Sequence, residues 1–310
     1  MKHLLAILLF LSAPTLQAQE PAAGIPDILY RRNGGIVSGE IIETDREFIA
    51  IQVQLSGGRS GVISIPRHEI DRVTFSPNPE QETFLAEATF DDLPKLLALW
   101  NNRRALMGLE GSDAASIGLA LARVLRSSPY ENQREEALDL YRYLEDNATL
   151  LHHVSDARQG RLRSLIALDR ADEAVAEADA LLQKTEDPAV LIESKFVLAE
   201  AARRDFESLI EEHPRWEEDV HVRPERHRLY HRIVDLYLFP FLFHGSEQEA
   251  TARSLGRLLT FLESTSDIVK ARHIATDLIT LYPTQAAAQL ARGFLEQHPP
   301  PPAPSHAQDT

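Results

Sequence analysis

The chain has no cysteine in its 310 residues. That excludes disulfides, thiolate catalysis and thiolate metal sites, and it excludes the lipidated cysteine of a bacterial lipoprotein. An excess of positive charge is also missing: 32 Lys and Arg stand against 47 Asp and Glu, a formal net charge of -15. Proteins bind duplex nucleic acid by neutralising phosphates with Lys and Arg, so nucleic acid is a poor partner, and an anionic membrane surface is disfavoured for the same reason. Beyond the N-terminus no apolar run approaches the roughly 18 residues that read as a membrane span. Nucleophile and phosphate motifs are lacking as well. The loop SGGRSG (56–61) fails the Gly-x-Ser-x-Gly spacing of a serine elbow. It also has no Gly-Lys-Ser/Thr ending for a phosphate cradle, and reads as a hairpin loop.

What is present begins with an export signal. MKHLLAILLFLSAPTLQAQE has Lys2, an apolar run from Leu4 to Leu11, and small or polar residues ending at Ala18. This is the layout of a secretory signal peptide over residues 1–18, and the other reading is an N-terminal membrane anchor. An exported protein of this size without cysteine points to a bacterial periplasm or a secreted state. After cleavage no stable membrane insertion is expected. Hydrophobic residues make up 44% of the chain and charged ones 25%, so it can bury a core by packing alone.

Residues 27–75 read as five short strands. Asn33-Gly34-Gly35 is a hairpin turn, because those residues tolerate positive φ. Phe48, Ile49, Ile51, Val53 and Leu55 make a β-rich run, Val62-Ile63-Ser64-Ile65 another, and Ile70, Val73 and Phe75 the last. Five strands in so short a segment predict a small SH3-like β-barrel, which closes its sheet and hides its edges. Gly39, Ile41, Asp45 and Phe48 resemble the first motif of Sm-like proteins. That family's RNA-contacting Asn is replaced by Ile49, and its Ile-Arg-Gly core by Ile65-Pro66-Arg67. The resemblance implies a fold shape and no binding site.

Ser76-Pro77-Asn78-Pro79-Glu80 is a stiff linker (76–80). Past it the apolar period changes from two to about 3.6, which predicts nine to eleven helices over 81–298, an α+β two-domain chain. Ser128 with Glu131, Asp187-Pro188, and Ser246 with Glu249 are helix starts. The segments FESLIEEHP (206–214), ATDLITLYP (275–283) and RGFLEQHP (292–299) share an apolar pair and a closing proline. Small residues precede a partner four later at Ala137, Ala174, Ala202 and Ala271. Together these resemble the second helix of tetratricopeptide (TPR) repeats and imply a TPR-like α-solenoid. The Trp and Gly of that repeat's first helix are not evident, and the spacings are uneven. Helical hairpins without repeat ancestry fit the same pattern. Either way, stacked helix pairs present a surface that binds peptides or proteins. The tail 299–310 is proline-rich and expected to be disordered.

One stretch carries ligand-type residues. RHRLYHRIVDLYLFPFLFHG (226–245) sets His227, His231 and Asp235 four apart. His227 and His231 are candidate metal ligands at i and i+4. Asp235 lies about 12 Å further along than His227 at 1.5 Å per residue, too far for one ion. A third ligand must come from elsewhere, such as His213, Asp219, His221 or His244. The interleaved Arg226, Arg228 and Arg232 oppose a cation and are instead candidates for contacting an acidic partner, since Arg binds carboxylates through paired hydrogen bonds. The apolar half from Leu236 to Phe243 reads as a core element, with Pro240 kinking or ending the helix near Tyr237. Trp100 and Trp216 read as packing residues, and His152-His153 as a surface pair. The chain is therefore read as an exported, non-enzymatic interaction protein with a protein or peptide partner in the cell envelope and no cofactor. The alternative is an envelope hydrolase using a metal at His227 and His231 or a carboxylate pair.

Overall fold

The computed structural model of the protein describes residues 25–299. The expected signal peptide (1–18) and all but the first residue of the proline-rich tail lie outside them. Among the described residues the chain is α+β: one five-stranded antiparallel sheet, then eleven α-helices. It forms two compact units, one made of residues up to Pro79 together with Leu109–Ser112, the other of Glu80–Gly108 and the chain from Asp113 onward.

In the first unit the strands are β1 (Asp27–Arg31), β2 (Ile36–Thr44), β3 (Phe48–Gln54), β4 (Ser60–Pro66) and β5 (Ile70–Thr74). Gly34 adopts the expected positive φ in the β1–β2 turn, and Gly57 and Gly58 do so in the β3–β4 loop. Leu29, Ile41, Ile49, Ile51, Val53, Ile65, Ile70 and Val73 are buried. The alternation of β3, with Ile49, Ile51 and Val53 inward, follows from the two-residue period of a strand. The buried Asp27 accepts the Ile41 N–H at 3.0 Å and the Ser76 N–H at 2.8 Å, fastening the start of the sheet to its exit.

The expected barrel closure does not occur. The sheet is open, with strand order β4-β3-β2-β1-β5. A 3-10 turn at Arg67–Glu69 carries the chain from β4 to the far side of β1, and the outer edge of β5 is already taken. Val73 N–H donates to the Glu110 carbonyl at 2.9 Å, and Arg72 pairs with Glu110 in parallel. Gly111, with φ of 77°, lies so close that a Cβ there would meet Val73 O at 2.1 Å. With that edge of β5 covered by a segment distant in sequence, it is not open to β4.

The helices of the second unit are α1 (Pro79–Glu87), α2 (Leu93–Arg103), α3 (Ala114–Arg126), α4 (Glu131–Asn147), α5 (Leu151–Ala167), α6 (Ala171–Leu182), α7 (Pro188–Glu212), α8 (Val222–Phe243), α9 (Gln248–Ser264), α10 (Ile268–Leu281) and α11 (Ala286–Gln297). Asp187 caps α7 as expected, accepting the Ala189 and Val190 N–H groups, with Pro188 in the first position. Ser128 acts one step earlier than a capping box, accepting the Tyr130 N–H at 3.0 Å. Ser246 makes no cap of α9, whose N-cap is Glu247. Pro240 does not end α8. The helix runs on to Phe243 with Pro240 buried inside it, and the buried Ser254 hydroxyl donates to the Tyr237 carbonyl, one turn before the proline. The bond lost at Pro240 is the one to the Leu236 carbonyl, and the packing of Tyr237 and Pro240 in the core offsets it.

From α3 onward consecutive helices pack on each other, and the odd-numbered helices α3, α5, α7, α9 and α11 also touch in series. The even-numbered helices pack mainly on their chain neighbours. Three apolar cores fill this arrangement, around Leu96 and Leu121, around Leu162 and Val197, and around Leu255 and Leu278.

Candidate functional site

Polar side chains of α3, α5 and α9 line two recesses along the row of odd helices. On α5, His152, Asp156, Gln159 and Arg163 recur at helical spacing along one face, and Ser116, Arg123 and Arg126 do the same on α3. Between them lies a recess of about 460 Å³, closed at one end by Leu85 and Ala86 of α1. That volume falls in the roughly 300–1,000 Å³ range of ligand sites.

Its floor depends on a glycine. Tyr141 of α4 is buried, and its ring crosses the backbone of α5 at Gly160, where a Cβ would stand 2.1 Å from Tyr141 Cε1. Only a glycine lets the ring pass there. Burial pushes the Tyr141 hydroxyl pKa up, against the pull of Arg126, to which it is hydrogen-bonded, and of Arg163 and Arg123.

The wall holds a second, partly buried polar pair. Ser116 Oγ and His153 Nε2 are 3.1 Å apart. Burial, and then the neighbouring His152, push His153 below its ordinary pKa. The expected surface pair is thus half wrong: His152 is exposed, but His153 is buried against α3. Asp156 is exposed at its outer side, yet the crowding of its carboxyl holds it above the usual carboxylate range, though His152 and Arg163 pull it down.

The three arginines are held differently. Arg123 donates to the carbonyls of Leu85 and Ala86, both at 2.6 Å. Arg163 donates to Glu193 of α7; burial opposes its charge, but Glu193 keeps its pKa raised. Arg126 reaches Tyr141, while its buried Nε finds no acceptor.

A second recess of about 460 Å³ adjoins the first, lined by Ala189 and Ile192 of α7, Glu247, and Gln248, Glu249, Ala250 and Arg253 of α9. Gln159 and Arg163 line both. Glu193, only 6% exposed, lies under this junction and accepts from Arg163 and from Arg253, the latter at 3.1 Å. Two turns along α7, Glu200 accepts the Tyr237 hydroxyl at 2.9 Å and pairs with Arg203 and Arg257. Burial works against its charge, but Arg257, Tyr237 and Arg203 hold its carboxyl below the ordinary range.

The residues singled out in the sequence lie elsewhere, on α8. Arg226 stacks over the Trp216 ring at 3.8 Å. Arg228 pairs with Glu225 at 2.5 Å, and Arg232 is exposed. His227 and His231 face each other with ring centroids 4.2 Å apart. Among the described residues no group of three or more His, Asp or Glu is placed to hold a metal ion. Asp219, one of the possible third ligands, accepts the His221 and Val222 N–H groups at the start of α8. The apolar half of α8 is only partly core: Tyr237 and Pro240 are buried, whereas Leu242 and Phe243 are exposed. Trp100 is buried, and Trp216 is half-buried beneath Arg226.

Sequence reasoning missed the α3–α5 recess. The available signal was the polar stripe His152, Asp156, Gln159, Arg163 beside the small-residue stripe Ala157, Gly160, Ser164, which marks a helix face approached closely by its neighbours.

Comparison of the chain with protein-family models, with curated proteins and with solved structures gave no match. No helix among the described residues is long and apolar enough to cross a membrane.

Proposed function

We propose that this is an exported, non-enzymatic interaction protein whose helical unit is a TPR-like α-solenoid, and that it binds a protein or peptide along the row of odd helices. The observation that carries this reading is the meeting of two recesses at Gln159 and Arg163, which makes one polar trench from α3 to α9. Helix pairs that share one continuous row offer an extended ligand a surface longer than any single helix pair does. The apolar run at the N-terminus supports an envelope location for the partner. Arg232, exposed on α8, belongs to a second surface, where Arg226 and Arg228 are already engaged by Trp216 and Glu225.

Site-specific photo-crosslinking in cells tests the reading. A crosslinker at Gln159 or Gln248 should trap a discrete partner, and one at Asp139 of α4 or Asp277 of α10 should not. Equal yields from both sets, or no crosslink from the trench, would reject it.

A further inference from the structure

We infer that the α3–α5 recess is a socket for a carboxylate on the bound segment, with Arg126 as its principal cation. The inference rests on the interaction reading above and names what the trench selects.

The first argument is charge. Arg123, Arg126 and Arg163 line the recess against the single carboxylate of Asp156. This local inversion occurs in a chain of formal net charge -15. A recess walled by one sign of charge concentrates ligands of the other.

The second argument is what each cation already does. Arg123 is occupied by two backbone carbonyls and Arg163 by Glu193. Arg126 has the Tyr141 hydroxyl, and its buried Nε has no acceptor. The Nε is sealed from the recess, so a carboxylate there meets Arg126 through the part of its guanidinium that lines the wall. Ser116 and the exposed His152 stand on the same walls as further donors.

The third argument sets the ligand's charge and direction. A phosphate dianion would face Asp156 and, next to Arg163, Glu193, whereas a single carboxylate adds one negative charge. Toward α9 the trench loses its positive excess, because Glu247 and Glu249 balance Arg163 and Arg253 in the lining of the second recess. The bound segment is therefore acidic where it meets α3 and neutral or basic where it meets α9.

The test uses the full-length mature protein at low salt. The probe is a labelled peptide of four glutamates followed by two lysines. It should bind, and the peptide with glutamines in place of the glutamates should bind at least tenfold more weakly. Arg126→Gln should lose at least tenfold, and His152→Glu, an exposed change that leaves packing intact, should lose binding by repulsion. Arg223→Gln on α8 should change nothing. Equal binding of the two peptides, no binding of either, or unaltered binding by both Arg126→Gln and His152→Glu would overturn the socket. Inorganic phosphate that displaces the peptide as well as free glutarate would also overturn the carboxylate assignment. If Gln159 crosslinks persist in Arg126→Gln, the interaction reading stands and the socket falls. If they vanish in a protein with unchanged melting, both are supported.

Discussion

The Tyr141 ring lies against the backbone of Gly160, where a Cβ would come within 2.1 Å of Cε1. A tyrosine on one helix thus sets which residue its neighbour can carry. Gly160→Ala should cost about 1–3 kcal/mol, the usual range for overpacking. The cost should shrink in a Tyr141→Leu background, since residues in contact are not additive. Urea denaturation of the four proteins in this cycle checks it, and equal costs in both backgrounds would contradict the contact.

Glu193 is buried and shared by Arg163 and Arg253. Removing one member of a fully buried ion pair costs about 3–5 kcal/mol, and the partial exposure of both arginines reduces that to about 2 kcal/mol. Glu193→Gln should therefore lower stability by that amount, and Arg163→Met or Arg253→Met by less, as the other arginine still pairs. Denaturant midpoints decide; a neutral Glu193→Gln would show that the carboxylate contributes nothing net.

Stability should depend on pH through His153. Burial and His152 put its folded pKa below the ordinary 6.5. Between the folded value and 6.5 the unfolded chain binds more protons, so stability rises with pH there. It is complete above about 6.5 and is lost as pH falls toward the folded value. Urea midpoints at about pH 7.5 and pH 5.5 should differ for the natural protein, and less for His153→Gln. The same slope in both would refute it.

Asp187 accepts two N–H groups at the start of α7. Asp187→Ala should cost about 1 kcal/mol, and Asp187→Asn only a few tenths, because Asn caps nearly as well. Thermal melting of the three proteins ranks them; an Asn variant as weak as the Ala variant would contradict capping.

What could be read from the sequence was local. The β1–β2 turn at Gly34, the cap at Asp187 and the end of α10 before Pro283 each follow from neighbours within four residues. Barrel closure was illegible because it depends on Glu110, far along the chain from Val73. The helix end expected at Pro240 failed because the core around that turn, built from residues distant in sequence, holds it. His153 looked exposed because its partner Ser116 belongs to another helix. Arg226 looked available because nothing in a linear reading sets Trp216 beneath it.

The segment that lays Glu110 beside Val73 means the sheet unit is encoded in two places in the gene. Cutting the chain after Pro79 does not subtract a domain. It leaves β5 with a bare edge and strands residues 109–112 without the strand they cover. Fusions, swaps and deletions that treat the N-terminal part as a contiguous cassette therefore damage both halves at once. A recombination that transplants this β unit intact must move two stretches of coding sequence together.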